Sequence, residues 1–332
     1  MIQSGAAAIY GAIVAWRRRW YGRHPSRREQ LSQPVISIGN LRAGGSGKTP
    51  AVGHIAKLLL ELGHKPAILT RGYARRVHTP GVTIVSDGLS VLETLDTSGD
   101  EPLMLARALP GVPVLVNADR HASGLLAESR FGTTVHLLDD GFQHLKLVRD
   151  IDLLLASEED LSDRVLPAGH LRERLDSAAV ADALIVPAER DDAVEPVRRA
   201  LGVKTAFRLS RSIARPASGA RVFAVAGIAR PQRFFSDLRG AGWTVAGTMV
   251  FPDHHGYGRA DLERIVAAAR AAGAETIVTT EKDVVRLEGH PLGGLALSPI
   301  ALTVSIEPAV AFTRWLQETL ASSPRRRSPS RA

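Results

Sequence analysis

The sequence predicts an α/β fold in which a mainly parallel sheet is covered by helices. Short apolar runs alternate with amphipathic stretches along most of the chain, a pattern typical of parallel strands joined by helices. A glycine-rich loop follows the first apolar run within residues 34–50, and a second alternating series begins near residue 221. Ligands of such folds collect where the parallel strands end, so we expect the functional residues there.

The length of 332 residues allows two domains of ordinary size. We expect an N-terminal helix at 1–30, a first α/β domain at 31–210, a second at 217–321 and a disordered basic tail at 322–332. The stretch 205–220 contains serine, proline and glycine and is interpreted as a linker. The chain has no cysteine, which excludes disulfides and cysteine-based metal sites.

Hydrophobic periodicity gives the individual elements. Residues 49–62 place four aliphatic side chains on one face, which predicts a helix. Strands of the first domain are expected at 66–70, 82–86, 112–116, 135–138, 151–155 and 184–186, with helices at 101–109 and 119–130. In the second domain we expect strands at 221–226, 243–250, 275–280 and 300–304, and helices at 230–239, 259–272 and 307–320.

Residues 5–16 are almost wholly apolar and are followed by RRRWYGR. A bilayer span needs about 20 residues, and no basic residue precedes the run as it would in a signal peptide. Arginines beside Trp16, Trp20 and Tyr21 favour a helix lying on a membrane surface, where each arginine contributes about 1 kcal/mol. A buried N-terminal core helix is the alternative.

The formal net charge of +8 comes from the two ends of the chain. Six arginines lie in the first 28 residues and four in the last eight, so the body is close to neutral. No basic-and-aromatic pattern of a single-strand binder appears between them, which argues against nucleic acid as a partner. The tail is expected to be solvated, with attraction to a membrane as the alternative.

The stretch PVISIGNLRAGGSGKTP has the layout of a nucleotide phosphate loop: strand, glycine-rich turn, Lys-Thr and helix. Its glycines allow backbone N–H groups to approach phosphate oxygens, and the following helix adds its positive dipole end. Lys48 would reach the β- and γ-phosphates, and the Thr49 hydroxyl would ligate Mg²⁺. Arg42 occupies the position of the first glycine in G-x-x-x-x-G-K-[ST]. The predicted nucleotide-binding residues are Arg42, Ala43, Gly44, Gly45, Ser46, Gly47, Lys48 and Thr49.

Asp139 and Asp140 end an apolar strand, where an acidic residue would hold Mg²⁺ or its water shell. Side chains alternate along a strand, so one of the two is expected to face the site. Asp-Asp-Gly is also an ordinary turn sequence. Gln143 and His144 follow and extend the same rim.

Asp100, in GDEP, precedes a predicted helix and is a candidate general base, with a helix cap as the alternative. In FPDHH, at the end of a second-domain strand, a histidine could tune that base across a cleft between the domains. Adjacent histidines point in different directions, which disfavours a two-histidine metal site.

In PAGHLRE, Arg172 and Glu173 could bind phosphate and Mg²⁺ respectively, or form a surface pair. TTEKD ends another strand, and its role is left open.

Eight motifs in this order resemble the tetraacyldisaccharide 4′-kinase family, the lipid A 4′-kinases of Gram-negative bacteria, between residues 34 and 283. As they stand here they are SIGNLRAGGSGKTP, LTRGYAR, GDEP, NADR, LLDDGFQH, LPAGHLRE, FPDHH and TTEKD. LRERL lacks the proline that often follows LRE in that family. The family's phosphate loop usually also lacks the first glycine, so Arg42 agrees with it.

The resemblance implies transfer of the ATP γ-phosphate to the 4′-hydroxyl of a tetraacylated glucosamine disaccharide 1-phosphate, giving lipid IV-A. It implies two α/β/α sandwich domains, the first P-loop NTPase-like, with the site between them. It also implies an N-terminal helix on the cytoplasmic face of the inner membrane. The expected partners are ATP, Mg²⁺, the lipid disaccharide and the membrane surface, with no nucleic acid and no obligate protein partner evident.

The resemblance also implies a role for individual residues. Asp100 resembles the catalytic base and His254 its partner, preferred over His255 because the Asp-His pair aligns. Lys48 and Thr49 would serve ATP and Mg²⁺, Asp139 and Asp140 would occupy a Walker B-like position, and Glu173 would be a magnesium-linked acid. Arg120, Gln143, His144 and Arg172 would line the phosphate and sugar site.

Two other functions remain as alternatives. A membrane-associated P-loop switch ATPase would carry a lysine early in its loop, K-G-G-x-G-K-T, where Ala43 stands here, and the guanine-reading N-K-x-D is missing from its expected place. A nucleic-acid binder using the basic ends would be indifferent to Lys48→Ala. Hydrolysis of ATP without an acceptor would favour the switch, and acceptor-dependent turnover would favour the kinase.

Overall fold

The computed structural model describes residues 2–44, 47–73, 75–216 and 219–323. Its helices are α1 (Ile2–Arg23), α2 (Lys48–Glu61), α3 (Leu95–Ser98), α4 (Asp100–Ala108), α5 (Arg120–Phe131), α6 (Glu158–Leu161), α7 (Val194–Leu201), α8 (Pro231–Gly240), α9 (Arg259–Ala271), α10 (Glu281–Leu287) and α11 (Ala309–Ser322). Its strands are β1 (Val35–Asn40), β2 (Pro66–Thr70), β3 (Thr83–Asp87), β4 (Pro113–Val116), β5 (Val135–Asp139), β6 (Ile151–Leu155), β7 (Ala183–Pro187), β8 (Ala206–Ile213), β9 (Arg221–Ala226), β10 (Thr244–Val250), β11 (Thr276–Thr280), β12 (Ala296–Ile300) and β13 (Leu302–Glu307).

The larger sheet has the strand order β13-β8-β7-β6-β1-β5-β2-β4-β3. Only the two edge pairs in this sheet, β3 with β4 and β13 with β8, are antiparallel. Its central strands are buried on both faces, as expected for a parallel sheet covered by helices. Ile36 and Ile38 pack with α2, α4 and α11, whereas Val35 and Leu138 pack with α5 on the opposite face.

The smaller sheet has the order β10-β9-β11-β12, and all of its pairs are parallel. Val222 and Ala224 face the phenylalanines of α8, while Phe223 and Val225 face α9. Each sheet is therefore the middle layer of an α/β/α sandwich, and the predicted α/β fold with a mainly parallel sheet is confirmed.

Every strand and helix predicted from residue 49 to residue 186 is present, with its ends displaced by at most one residue. The expected linker at 205–220 is wrong in its first half, because β8 is a strand of the larger sheet. Its polar side chains suggested a loop, yet the Ser210 hydroxyl contacts Ser305 and Glu307 on the antiparallel partner β13. Elements α3, α6, α7, α10 and β12 are additional to those predicted.

The last strand and helix of the expected second domain belong to the larger sheet. β13 pairs with β8, and α11 packs Phe312, Leu316 and Leu320 into the core that also contains α2. The Phe312 ring lies edge-on to Phe207 of β8, with 5.1 Å between centroids. The chain thus crosses to the smaller sheet after β8 and returns with β13, which leaves two connections between the domains.

The N-terminal helix α1 is not buried in a core. Ile9, Ile13 and Trp16 are 65%, 58% and 63% exposed, and their i, i+4, i+7 spacing places them on one helix face. Within the described residues, no helix is sufficiently long and apolar to cross a membrane. On another side of the helix, Gly11 lies close to Val165 and Arg174. The predicted tail lies outside the described residues from 324 onward.

Candidate active site

A cavity of about 1380 Å³ lies between the larger sheet and the second domain. It is lined by the start of α2, the end of β5, the first turn of α4, the loop after β10 and the start of α10. Tyr10, Val14 and Arg17 of α1 complete one wall. The parallel strands of the larger sheet end here, in agreement with the expectation for an α/β fold.

The phosphate loop lies between β1 and α2. Gly44 and Gly47 have φ of 99° and 84°, a left-handed conformation that glycine adopts without strain. The Ala43 N–H donates to the carbonyl of His170 at 2.8 Å. Arg42 is directed to Asp163 and Asp160, at 3.0 Å and 3.5 Å, which anchors the loop to the segment before PAGHLRE. The predicted nucleotide contacts of Gly45 and Ser46 lie outside the described residues.

Lys48 begins α2 and its ammonium lies beside the carboxylates of β5. Nζ donates to Asn40 Oδ1 at 2.9 Å and lies 3.5 Å from Asp140 Oδ1. Thr49, the next residue, is buried and also lines the cavity. The N–H groups that begin α2 therefore face the same space as the Lys48 charge, an arrangement that suits phosphate.

Asp139 ends β5, and Asp140 follows in a left-handed conformation with φ of 56°. In each of them Oδ1 is buried and accepts no hydrogen bond from the described residues. Burial, with the charges of Glu101 and Asp140, raises the pKa of Asp139 to about 7, although Lys48 and Arg120 oppose this. Burial also raises the pKa of Asp140, but Lys48 and Arg172 outweigh it and lower that pKa below its usual value.

These two orphaned carboxylate oxygens and the Thr49 hydroxyl are hard oxygen donors of the kind Mg²⁺ prefers. The described residues contain no cluster of three or more histidine, aspartate or glutamate side chains placed to bind a metal. The residues present therefore fit an ion that takes most of its ligands from water and nucleotide phosphate, as Mg²⁺ does in phosphoryl-transfer sites.

Arg172 and Gln143 meet at the acidic pair. Arg172 Nη1 donates to Asp140 Oδ2 at 2.7 Å and to Gln143 Oε1 at 3.3 Å, while Gln143 Nε2 donates to the carbonyl of Asn40 at 3.0 Å. The Arg172 N–H donates to the carbonyl of Leu41. PAGHLRE is thus fixed beside the phosphate loop, and Arg172 is held inside the site and is not part of a surface pair.

Arg120 and His144 line another wall of the cavity. Arg120 starts α5, is 6% exposed, and its Nε has no hydrogen-bond partner among the described residues. Burial and the charge of Arg71 lower its pKa to about 10, so it stays cationic at neutral pH. Burial and the charges of Arg120 and Arg149 lower the pKa of His144 to about 4, so its imidazole is neutral.

Glu173 has a partner that the sequence did not suggest. Arg18 of α1 donates to both of its carboxylate oxygens, at 2.7 Å and 2.8 Å, and to the carbonyl of Phe142 at 3.2 Å. The Arg18 guanidinium also lies 4.3 Å from the centre of the Phe142 ring. The magnesium contact expected of Glu173 stays a prediction.

Asp100 and His254 are 154 residues apart and are in contact across the domain boundary. Asp100 Oδ2 lies 2.9 Å and Oδ1 3.2 Å from His254 Nδ1. His254 has φ of 58°, and the edge of its ring contacts Tyr73. Burial raises the pKa of Asp100, but the hydrogen bond from His254 and the charges of Lys282 and Arg286 lower it below its ordinary value.

The same contacts bear on the alternatives for this pair. Asp100 occupies the first turn of α4, where its Oδ1 accepts only from the adjacent Glu101 N–H within the helix, and its main partner is His254. His255 instead contacts Asp261 at 2.9 Å. Lys282, for which the sequence suggested no role, lies 3.1 Å from His254 Nε2. Its only sequence signal was the TTEKD motif at a strand end.

Comparisons with known proteins agree with this geometry. The model of the family described as LpxK, tetraacyldisaccharide-1-P 4′-kinase, matches residues 3–321. The tetraacyldisaccharide 4′-kinase of Geobacter metallireducens is 41% identical over 291 residues, covering 84% of this chain and 86% of that protein. The Koribacter versatilis enzyme of the same name is 40% identical over 294 residues, covering 85% and 87%. The crystal structure of LpxK from Aquifex aeolicus in complex with ATP has 31% identity and a TM-score of 0.77, and covers 96% of this chain and 100% of that one. The chain therefore belongs to the tetraacyldisaccharide-1-P 4′-kinase family.

Proposed function

We propose that the protein transfers the γ-phosphate of ATP to the 4′-hydroxyl of tetraacyldisaccharide 1-phosphate and so forms lipid IV-A in lipid A biosynthesis. The observation that carries this proposal is the position of the Asp100–His254 pair beside the cavity lined by Lys48, Thr49, Asp139 and Asp140. A phosphate site, and a candidate base whose partner His254 lines the same cavity, are the parts that a kinase requires. The names of the relatives supply the acceptor.

In this proposal the phosphate loop and the start of α2 bind the triphosphate, with Lys48 against the β- and γ-phosphates. Thr49 and the Oδ1 atoms of Asp139 and Asp140 would hold Mg²⁺ or its water shell. The ion supplies charge neutralisation for the phosphates when it is bound. Arg172, already held by Asp140 and Gln143, presents a planar cation toward the transferred group.

The transfer step forms a bond between the 4′-oxygen and the γ-phosphorus and breaks the bond from that phosphorus to the β,γ-bridging oxygen. ADP leaves with the electrons of the broken bond, and the hydroxyl proton passes to the carboxylate of Asp100. The lowered pKa of Asp100 keeps it ionised and ready to accept. Arg120, Gln143 and His144 line the same cavity and are proposed to hold phosphate and sugar groups of the substrates.

The exposed face of α1 supports a membrane-surface location for the same reaction. Ile9, Ile13 and Trp16 would enter the lipid interface, while Tyr10, Val14 and Arg17 of the same helix line the cavity. A lipid acceptor could therefore pass from the bilayer to the site along one helix. We propose the cytoplasmic face of the inner membrane as the location.

The membrane proposal predicts that changing Ile9, Ile13 and Trp16 together to serine lowers the fraction of protein that floats with anionic vesicles several-fold. A variant changing Ile9, Ile13 and Trp16 to leucine keeps the apolar face and is the control. Equal flotation of the serine and leucine variants would contradict the proposed location.

The reaction itself is tested by transfer of labelled γ-phosphate from Mg-ATP to tetraacyldisaccharide 1-phosphate in detergent. We expect a labelled lipid product and ATP turnover that depends on the acceptor. Lipid IV-A, whose 4′-position is already phosphorylated, is the matched control and should support no transfer. Steady ATP hydrolysis without an acceptor, with no labelled lipid, would favour the switch ATPase.

A further inference from the structure

Lys282 lies at the point where the two domains meet the Asp100–His254 pair. Its Nζ is 3.2 Å from Glu101 Oε1 on α4 of the first domain, and 3.0 Å from Asp253 Oδ1 in the loop after β10 of the second. It is also 3.1 Å from His254 Nε2. The side chain is only 16% exposed. One ammonium group therefore contacts a carboxylate from each domain and the histidine between them.

These contacts determine which ring nitrogen of His254 carries the proton. A lysine ammonium has three donors and no acceptor, so its contact with Nε2 is a hydrogen bond only if Nε2 is unprotonated. An ionised carboxylate only accepts, so the contact of Asp100 with Nδ1 requires a proton on Nδ1. The two contacts specify the same neutral tautomer, with N–H directed at Asp100.

We propose that Lys282 is a positioning residue of the phosphoryl transfer, which fixes His254 in the Nδ1–H tautomer and thereby leaves the Asp100 carboxylate as the basic atom of the pair. The proposal deepens the kinase function proposed above and rests on it. Because the ammonium occupies the lone pair of Nε2, His254 orients the base and does not itself take the hydroxyl proton.

The surrounding charges support an ammonium at this position. Burial lowers the pKa of Lys282, but Glu101, Asp100 and Asp253 outweigh it, so the pKa is raised and the group stays charged. Asp100 faces three charged or titratable groups: His254 from the loop after β10, and Lys282 and Arg286 from α10. It also accepts a hydrogen bond from the backbone N–H of Glu101. Arg286 lies 3.5 Å from Asp100 and 3.1 Å from Asp283, so it is shared with a second carboxylate. Lys282 contacts His254 Nε2 at 3.1 Å, whereas Asp253 Oδ2 lies 3.7 Å from the same nitrogen, beyond hydrogen-bond distance.

The tautomer is measured by the ¹⁵N shifts of the His254 ring in the full-length protein, with the signal assigned by its loss in His254→Gln. We expect an unprotonated Nε2 and a protonated Nδ1 near neutral pH. In Lys282→Met the two ¹⁵N shifts should move toward each other, as they do when both tautomers are populated. Lys282→Arg retains the charge and should retain the tautomer. A protonated Nε2 in the unchanged protein, or the same ring shifts in Lys282→Met, would overturn the proposal. This readout does not require turnover, so it is separate from the failure of the kinase assignment.

The second experiment measures kcat and KM for Lys282→Met, with Arg107→Met as a matched control. Arg107 and Glu288 form an exposed ion pair at 2.6 Å, which also joins α4 to the end of α10. We expect Lys282→Met to lower kcat about 100-fold with little change in KM for ATP, since misplacement of a base costs on this order. The acidic limb of kcat should move to higher pH, because Asp100 loses a positive neighbour. Arg107→Met should leave both unchanged. An equal loss in both variants would reduce Lys282 to a domain contact, and a raised KM for ATP at constant kcat would make it a phosphate ligand; either result overturns the proposal.

Discussion

The two halves of the active site are built in different ways. The phosphate side is assembled from segments that end neighbouring strands of one sheet: Lys48 follows β1, and Asp140 follows β5, its direct partner in the ladder. The base side joins Asp100 of the first domain to His254 and Lys282 of the second. The first half lies within one domain, whereas the second exists only while the domains are together. Binding of ATP and placement of the base should therefore respond to different substitutions.

The largest effect on activity is expected for Lys48→Ala, which changes the phosphate side of the site. Removal of the ammonium takes away the charge beside the proposed β- and γ-phosphates, and loss of one such group costs about 10³-fold in rate. Lys57→Ala, at another lysine of α2, is the control. The rate of labelled lipid formation and the Kd for ATP should both suffer in Lys48→Ala. Turnover close to that of Lys57→Ala would show that the phosphate side has been misassigned.

A smaller effect, confined to the base side, is expected for His254→Ala. The pKa of Asp100 should rise in this variant, because burial still raises it and the hydrogen bond from His254 no longer lowers it. A raised pKa leaves Asp100 protonated at higher pH, so the acidic limb of kcat moves upward and kcat falls about 100-fold. The Kd for ATP should stay unchanged. The pH dependence of single-turnover rates checks this, and His255→Ala, which alters the neighbouring contact with Asp261, should leave the limb in place.

The smallest effect is expected for the contact between α1 and the phosphate side. Arg18→Met removes the two hydrogen bonds to Glu173 and the cation over Phe142, so α1 should lose part of its order relative to residues 142–143. We expect a few-fold rise in KM for the lipid acceptor and unchanged KM for ATP. Arg19→Met, beside it on the helix, is the control. A fall in ATP affinity would instead indicate that Glu173 acts through bound nucleotide and magnesium.

The same contrast explains how much could be predicted from the sequence. Lys48, Thr49 and the acidic pair were predicted because a glycine-rich turn and a strand-end carboxylate carry local signals, and β1 and β5 place them together. Strand-end placement suggested that a histidine of FPDHH meets Asp100, but the choice of His254, 154 residues away, depended on family resemblance.

The remaining differences come from tertiary contacts that local patterns do not contain. The serines of β8 resemble a linker until β13 pairs with them, and nothing local in LRE indicates that Glu173 contacts Arg18 of the N-terminal helix. Lys282 could not be interpreted at all, because its three contacts come from α4 and from the loop after β10.

The central claim is that His254 and Lys282 of the second domain orient the base Asp100 of the first domain. The nucleotide is bound by the first domain. Its most direct test is the single-turnover rate of phosphoryl transfer in Asp100→Asn, measured at saturating Mg-ATP beside the Kd for ATP. The account predicts a rate lower by about 10²- to 10⁴-fold, the range for a general base, with an unchanged Kd. A rate close to that of the unchanged protein, or a loss explained wholly by weaker ATP binding, would contradict it.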